Sequence, residues 1–192
     1  MTMTPTMTPT TTPTPTMTAK DLERFIRDVP DFPKPGILFK DITPLLGDAA
    51  AFRATIDLLA ERAAPLRPET VVAIESRGFI FGAALAAKLG TGLVPVRKPG
   101  KLPWRARKVE YALEYGTDAL AMHEDGVVAG ARALIVDDLL ATGGTAAATV
   151  ELVRLGGAEV VGCAFVIELA FLKGRSRLGG LPVDALIAYQ LL

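Results

Sequence analysis

The chain has 192 residues, half of them hydrophobic, with 21 basic and 21 acidic side chains. That length supports one α/β domain with a substantial core and leaves too little for two. Zero net charge gives no bulk attraction to nucleic acid, one cysteine excludes a disulfide framework, and no apolar run reaches the roughly 20 residues of a membrane span.

Residues 1–18 contain only Met, Thr and Pro. Lacking charge, apolar periodicity and a basic start, this tail is expected to be disordered and not a signal peptide, with Met17 a second candidate start. Residues 19–192 are expected to form a single domain. Thr18-x-x-Asp21 has the form of a capping box ahead of Leu22, Phe25 and Ile26. Pro30 to Pro35 impose an extended, kinked passage, so Phe32-Pro-Lys-Pro-Gly-Ile-Leu-Phe-Lys-Asp-Ile42 reads as a rigid hood. Asp48 is placed to cap a helix bearing Phe52, Ile56, Leu59 and Ala63. Val71 to Ile74 reads as a buried strand, Phe79 to Leu89 as a helix closed by Gly90, and Leu93 to Val96 as another strand.

Arg97 to Lys108 holds six basic residues and no acidic one, with Pro99, Gly100 and Pro103 opposing regular structure. Such a segment suits a mobile cationic flap that closes over a polyphosphate. Val109 to Tyr115 alternates, with Val109, Tyr111, Leu113 and Tyr115 on one side and Glu110, Ala112 and Glu114 on the other. Gly116 to Asp118 turns it into a second strand, Ala119 to His123, and His123 reads as a solvated loop or strand-end residue. Strand 131–136, helix 145–155 and strand 158–167 form a βαβ unit, and Val183 to Tyr189 supplies a last strand. Cys163 reads as a buried strand thiol, consistent with a reducing, cytoplasmic compartment. Strands alternating with helices indicate a mainly parallel sheet covered on both faces, with ligand loops at the strands' carboxyl ends.

Two loops fall at such ends. Asp137 and Asp138 close one strand and lead into Ala141, Thr142, Gly143, Gly144 and Thr145, a small-residue turn at a helix start. Uncovered amides and the positive end of the helix dipole favour an anionic oxygen ligand there, and the threonine hydroxyls add donors. Two carboxylates beside a phosphate cradle suit the hydroxyls of a sugar carried by that phosphate, met directly or beside a metal ion. A Gly-Gly pair alone is often only a tight connection; here the charge pair, both threonines and the strand-to-helix context agree. The turn matches neither G-x-x-x-x-G-K-[ST] nor G-x-G-x-x-G. In the other loop, Glu75-Ser-Arg-Gly78, Arg77 offers a planar donor fork and Gly78 permits close backbone approach, which suits a diphosphate. Phe39 in the hood offers a stacking surface for a flat heterocycle, whose ring nitrogens and exocyclic amine backbone groups near Leu38 and Lys40 could read.

Together these segments resemble the type I phosphoribosyltransferases, and closely the adenine phosphoribosyltransferase family. The resemblance covers roughly residues 20–190. It rests on Phe32 to Thr43, Glu75-Ser-Arg-Gly-Phe-Ile-Phe-Gly82, Arg97-Lys-Pro-Gly-Lys-Leu-Pro103, Leu113-Glu-Tyr-Gly116 and Val136-Asp-Asp-Leu-Leu-Ala-Thr-Gly-Gly-Thr145. It implies the type I fold, with an N-terminal hood and a flexible β-flap. It also implies transfer of phosphoribose from 5-phosphoribosyl 1-diphosphate (PRPP) to N9 of adenine, giving AMP and diphosphate. Ala141 to Thr145 would hold the 5′-phosphate, and Asp137 and Asp138 the ribose hydroxyls. Glu75, Ser76, Arg77 and Gly78, with a non-proline cis peptide, would join Arg97, Lys98 and Lys101 on the diphosphate, Arg97 reaching across a homodimer interface. Leu38, Phe39 and Lys40 would read adenine, and Glu114 would assist proton handling on the purine. Magnesium would be held mainly by PRPP, with no dedicated protein site. Trp104 to Lys108 receives no role. Two other readings share these motifs: transfer to hypoxanthine, xanthine or orotate, and a PRPP-binding regulator without catalysis, against which the lack of a nucleic-acid-binding domain and the presence of Glu114 both argue.

Overall fold

In the computed structural model, strand β7 (Arg132–Leu140) shows most plainly how the sequence builds the fold. Ala133 and Ile135 pack into one hydrophobic cluster and Leu134 into another, so successive side chains serve opposite faces of the sheet. Val71 and Val72 of β3 (Thr70–Ile74) divide in the same way, as do Cys163 and Ala164 of β8 (Glu159–Leu169). Continuous apolar runs are therefore needed, because neither face meets water. The structure describes residues 17–112 and 116–191.

Five parallel strands form the central sheet in the order β4-β3-β7-β8-β9, with β4 at Gly92–Val96 and β9 at Val183–Tyr189. One face is covered by α5 (Gly144–Leu155) and an antiparallel hairpin of β5 (Ala106–Ala112) and β6 (Thr117–His123). The other is covered by α1 (Ala19–Leu22), α3 (Ala49–Ala63) and α4 (Gly78–Leu89). A second hairpin, β1 (Arg27–Pro30) with β2 (Leu38–Asp41), precedes the short α2 (Thr43–Gly47). Among the described residues, no helix is long and apolar enough to cross a membrane.

The local signals work as their chemistry dictates. Thr18 and Asp21 form a reciprocal capping box at α1, and Met17 packs against the core, so Met17 and Thr18 belong to the fold instead of the tail. Residues 1–16 of that tail lie outside the described residues. Asp48 accepts from the amides of Ala50 and Ala51 at the start of α3, and Gly90 closes α4 with φ of 70°.

Three expectations need correction. The strand expected at 131–136 runs to Leu140, because β8 continues to pair with it as far as Leu140 opposite Glu168. The hood is a β-hairpin, since Arg27–Pro30 pairs with Leu38–Asp41. The flap strand starts at Ala106, three residues before the alternation begins, because Ala106 to Lys108 pair with Ala121 to His123.

Candidate active site

β7 outruns its neighbour β3. Their pairing ends at Ala73 opposite Val136, while β8 still supports β7 beyond that point. Asp137 and Asp138 thus stand on a strand with one side open, above the carboxyl end of β3. The Glu75–Gly78 turn fills that notch. Its Glu75–Ser76 peptide is cis, as the resemblance implied. Arg77 donates from Nε to Oδ2 of buried Asp138. A Cβ on Gly78 would approach Oδ1 of Asp137 to 2.7 Å, so the two loops are in direct contact. Burial, and then the charge of Asp138, push the Asp137 carboxyl well above its ordinary range. Oδ1 of Asp137 accepts the Asp138 amide at 2.9 Å.

Beyond Leu140 the chain turns through Ala141 and Thr142 to Gly143, whose φ of 81° suits glycine. α5 starts at Gly144 with no side-chain cap, so its leading amides keep their donors for a ligand. They border a cleft of about 70 Å³ formed by Asp137 and by Leu139 to Ala146. Thr142 is exposed at its rim and Thr145 half-buried.

Arg97 and Lys98, beside this notch, each hold a carboxylate. Arg97 reaches Oε1 of Glu75 at 3.0 Å and also donates to the Lys101 carbonyl at 3.0 Å. The Lys98 amide donates to Oε2 of Glu75 at 2.8 Å, and its ammonium pairs with Asp118. Hydrogen bonds from Arg97 and from the Lys98 amide hold the Glu75 carboxyl below its usual range. Tyr111 from β5 donates to the same Asp118 oxygen at 3.2 Å and lies against Gly144, whose Cβ would meet its ring at 3.3 Å. The flap hairpin is therefore fastened to both loops.

In the hood, Phe39 packs edge-on against Phe32 with ring centroids 5.1 Å apart. Leu38 and Phe39 are half-buried. The Lys40 ammonium, by contrast, pairs with Asp28 at 2.6 Å and sits 4.1 Å from the Tyr189 ring centroid. Its side chain ties the hood to the edge strand β9, leaving only its backbone for a heterocycle.

A phosphoribosyl transferase domain matches residues 46–178, more than half of the chain. The adenine phosphoribosyltransferase of Roseiflexus sp. (strain RS-1) is 56% identical over 169 residues, covering 88% of this chain and 98% of that protein. The chain belongs to the adenine phosphoribosyltransferase family. Family structures share its shape. The enzyme from Thermoanaerobacter pseudethanolicus superposes with a TM-score of 0.87 at 51% identity, over 90% of this chain and 100% of its own. That of Saccharomyces cerevisiae, solved with an imino-altritol bisphosphate and adenine, gives 0.83 at 44% identity, over 88% of this chain and 97% of its own.

As a phosphoribosyltransferase, the chain brings Glu75, Ser76, Arg77, Gly78, Asp137 and Asp138 together, with Ala141–Thr145 continuing from them and Arg97, Lys98 and Lys101 at the side. Glu114 lies outside the described residues. Within the single chain, Arg97 pairs with Glu75. His123, read as a solvated loop or strand-end residue, closes β6 half-buried with its ring 6.4 Å from that of Trp104, and among the described residues its buried Nε2 has no hydrogen-bond partner. Sequence reasoning missed Asp118 and Tyr111, which read only as a turn residue and as one position of an alternating strand.

Proposed function

We propose that this chain transfers phosphoribose from PRPP to N9 of adenine, releasing diphosphate and forming AMP, at the corner between Val136 and Thr145. The observation that carries the reading is an uncapped helix start joined directly to two carboxylates, with Arg77 against the second of them. Ala141, Thr142, Gly143, Gly144 and Thr145 hold the 5′-phosphate, and Asp137 and Asp138 receive the ribose hydroxyls. Glu75, Ser76, Arg77 and Gly78 hold the diphosphate together with Arg97, Lys98 and Lys101. Each arginine, and Lys98, then exchanges a protein carboxylate for a phosphate oxygen when the donor enters.

Diphosphate departs ahead of strong bonding to adenine, so positive charge develops on the ribose ring. Asp137 and Asp138 lie where that charge is stabilised, and catalysis is mainly positioning and electrostatics. Leu38 and Lys40 read adenine through their backbones, Phe39 offers its ring, and Glu114 assists the proton on the purine. Among the described residues, no cluster of His, Cys, Asp or Glu could by itself hold a metal ion. Magnesium in this reading would enter with PRPP and would supply positive charge to the diphosphate, with Arg77, Arg97, Lys98 and Lys101 beside it. The crowded negative charge at Asp137 and Asp138 fits a donor that brings a cation. A homodimer belongs to the same reading, supported by exposed Ile80 on α4 and Leu93 on the edge strand β4. So does a cytoplasmic setting, supported by the lone buried thiol of Cys163.

A coupled assay for AMP from adenine, PRPP and magnesium tests the proposal, run beside hypoxanthine, xanthine and orotate. Adenine should be strongly preferred. Equal or better turnover of a 6-oxopurine overturns the assignment.

A further inference from the structure

The phosphate loop rests on a second piece of backbone. Gly174 opens a 3-10 turn, Gly174–Leu178, beyond the end of β8. A Cβ on Gly174 would come within 2.2 Å of the Ala141 carbonyl oxygen and 3.1 Å of the Gly143 nitrogen. A Cβ on Gly143 would come within 2.4 Å of the Gly174 carbonyl oxygen. Two backbones therefore touch with no side chain between them, directly behind the amides that face the cleft.

The neighbouring residue fixes this contact. Arg175 donates from Nε to both oxygens of Glu168, at 2.7 and 2.9 Å, and from one terminal nitrogen to Oε2 at 2.6 Å. Its other terminal nitrogen reaches the Val183 carbonyl at 2.6 Å. Glu168 is only 4% exposed, and it lies opposite Leu140, the last strand residue before the phosphate loop. The contacts close a ring: Leu140 to Glu168 across the ladder, Glu168 to Arg175 by the ion pair, Arg175 to Gly174 along the chain, and Gly174 to Ala141 and Gly143 by contact.

We propose that Glu168 and Arg175 are positioning residues for the 5′-phosphate cradle, holding Gly174 behind Ala141 and Gly143 so that the loop's amides point at the phosphate. This deepens the function proposed above and rests on it. Glu168 is buried while Arg175 lies at the surface, so the pair is a modest source of net stability, whereas its directional hydrogen bonds fix geometry well. Among the described residues, the pair's hydrogen bonds reach neither the diphosphate turn nor the hood, so its influence is confined to one part of the donor.

Titration calorimetry with ribose 5-phosphate and, separately, with magnesium diphosphate tests this on the full chain, using Glu168→Gln, Arg175→Met and the double variant. Ribose 5-phosphate should bind about tenfold more weakly or worse in all three, because small misplacement of the amides suffices for such a loss. Diphosphate affinity and the KM for adenine should stay within about twofold, since those sites share no partner with the pair. The double variant should regain thermal stability over Arg175→Met, which leaves the buried Glu168 carboxylate unpaired, without regaining ribose 5-phosphate affinity. Equal weakening of both ligands, unchanged ribose 5-phosphate binding, or recovery of affinity together with stability overturns the proposal alone. Failure of the wild-type protein to bind ribose 5-phosphate overturns it together with the reading beneath it.

Discussion

Gly78 and Asp137 come from different strand ends, yet a methyl group on Gly78 would stand 2.7 Å from Oδ1 of Asp137 and 3.0 Å from the Val136 carbonyl. No side chain fits between the diphosphate turn and the strand that carries the ribose carboxylates. Gly78→Ala must push the two apart, and kcat/KM for PRPP should fall by about 100-fold. Unfolding free energy should drop by only about 1–3 kcal/mol, as for other overpacked sites. Steady-state kinetics beside thermal unfolding check this; full activity would show that the contact is dispensable.

Asp137 gives a pH prediction. Burial, then Asp138, raise its carboxyl well above the ordinary 3.8. An acid whose folded value is raised favours the folded state below its unfolded value, and that contribution is lost as pH rises through the folded value. Asp137→Asn should therefore raise the Tm of the substrate-free protein near neutral pH, by about 2–4 °C for each kcal/mol relieved. The gain should vanish toward the ordinary carboxylate range, and PRPP binding should weaken throughout. A Tm difference independent of pH would contradict this account of Asp137.

Glu114→Gln should lower kcat by about 100-fold or more while leaving PRPP affinity nearly unchanged, the pattern expected for lost acid–base assistance. Single-turnover measurements separate that step from product release. An unchanged rate removes Glu114 from the mechanism.

Much of this was legible in the chain. Asp137 to Thr145 could be read because strand, charge pair, turn and helix start are consecutive, so local chemistry specifies them. The capping box at Thr18 and the Asp48 cap were equally local. What escaped was long-range. Arg27–Pro30 forms a strand only because Leu38–Asp41 folds back on it, and Gly174 matters only because it meets Gly143 across the fold. Lys40 read as part of the adenine-reading segment, yet its ammonium answers to Asp28 and Tyr189, neither of which its neighbours in sequence reveal.

That clasp is itself testable. Lys40→Met removes the Asp28 ion pair and the cation–π contact while keeping much of the packing, together about 1–2 kcal/mol. The KM for adenine should rise several-fold and PRPP affinity should hold. A fall in PRPP affinity with unchanged adenine KM would place the side chain's role elsewhere.

Deleting residues 1–16 should leave both Tm and kcat/KM for adenine as they are, since Met17 and the Thr18 cap are retained. A large loss of either would assign the tail a part in folding or catalysis.

The most direct examination is a crystal of this protein soaked in PRPP with magnesium. The terminal phosphate should lie on the amides of Ala141–Thr145, with the ribose hydroxyls against Asp137 and Asp138. Donor density anywhere else, above an empty corner, would contradict the account.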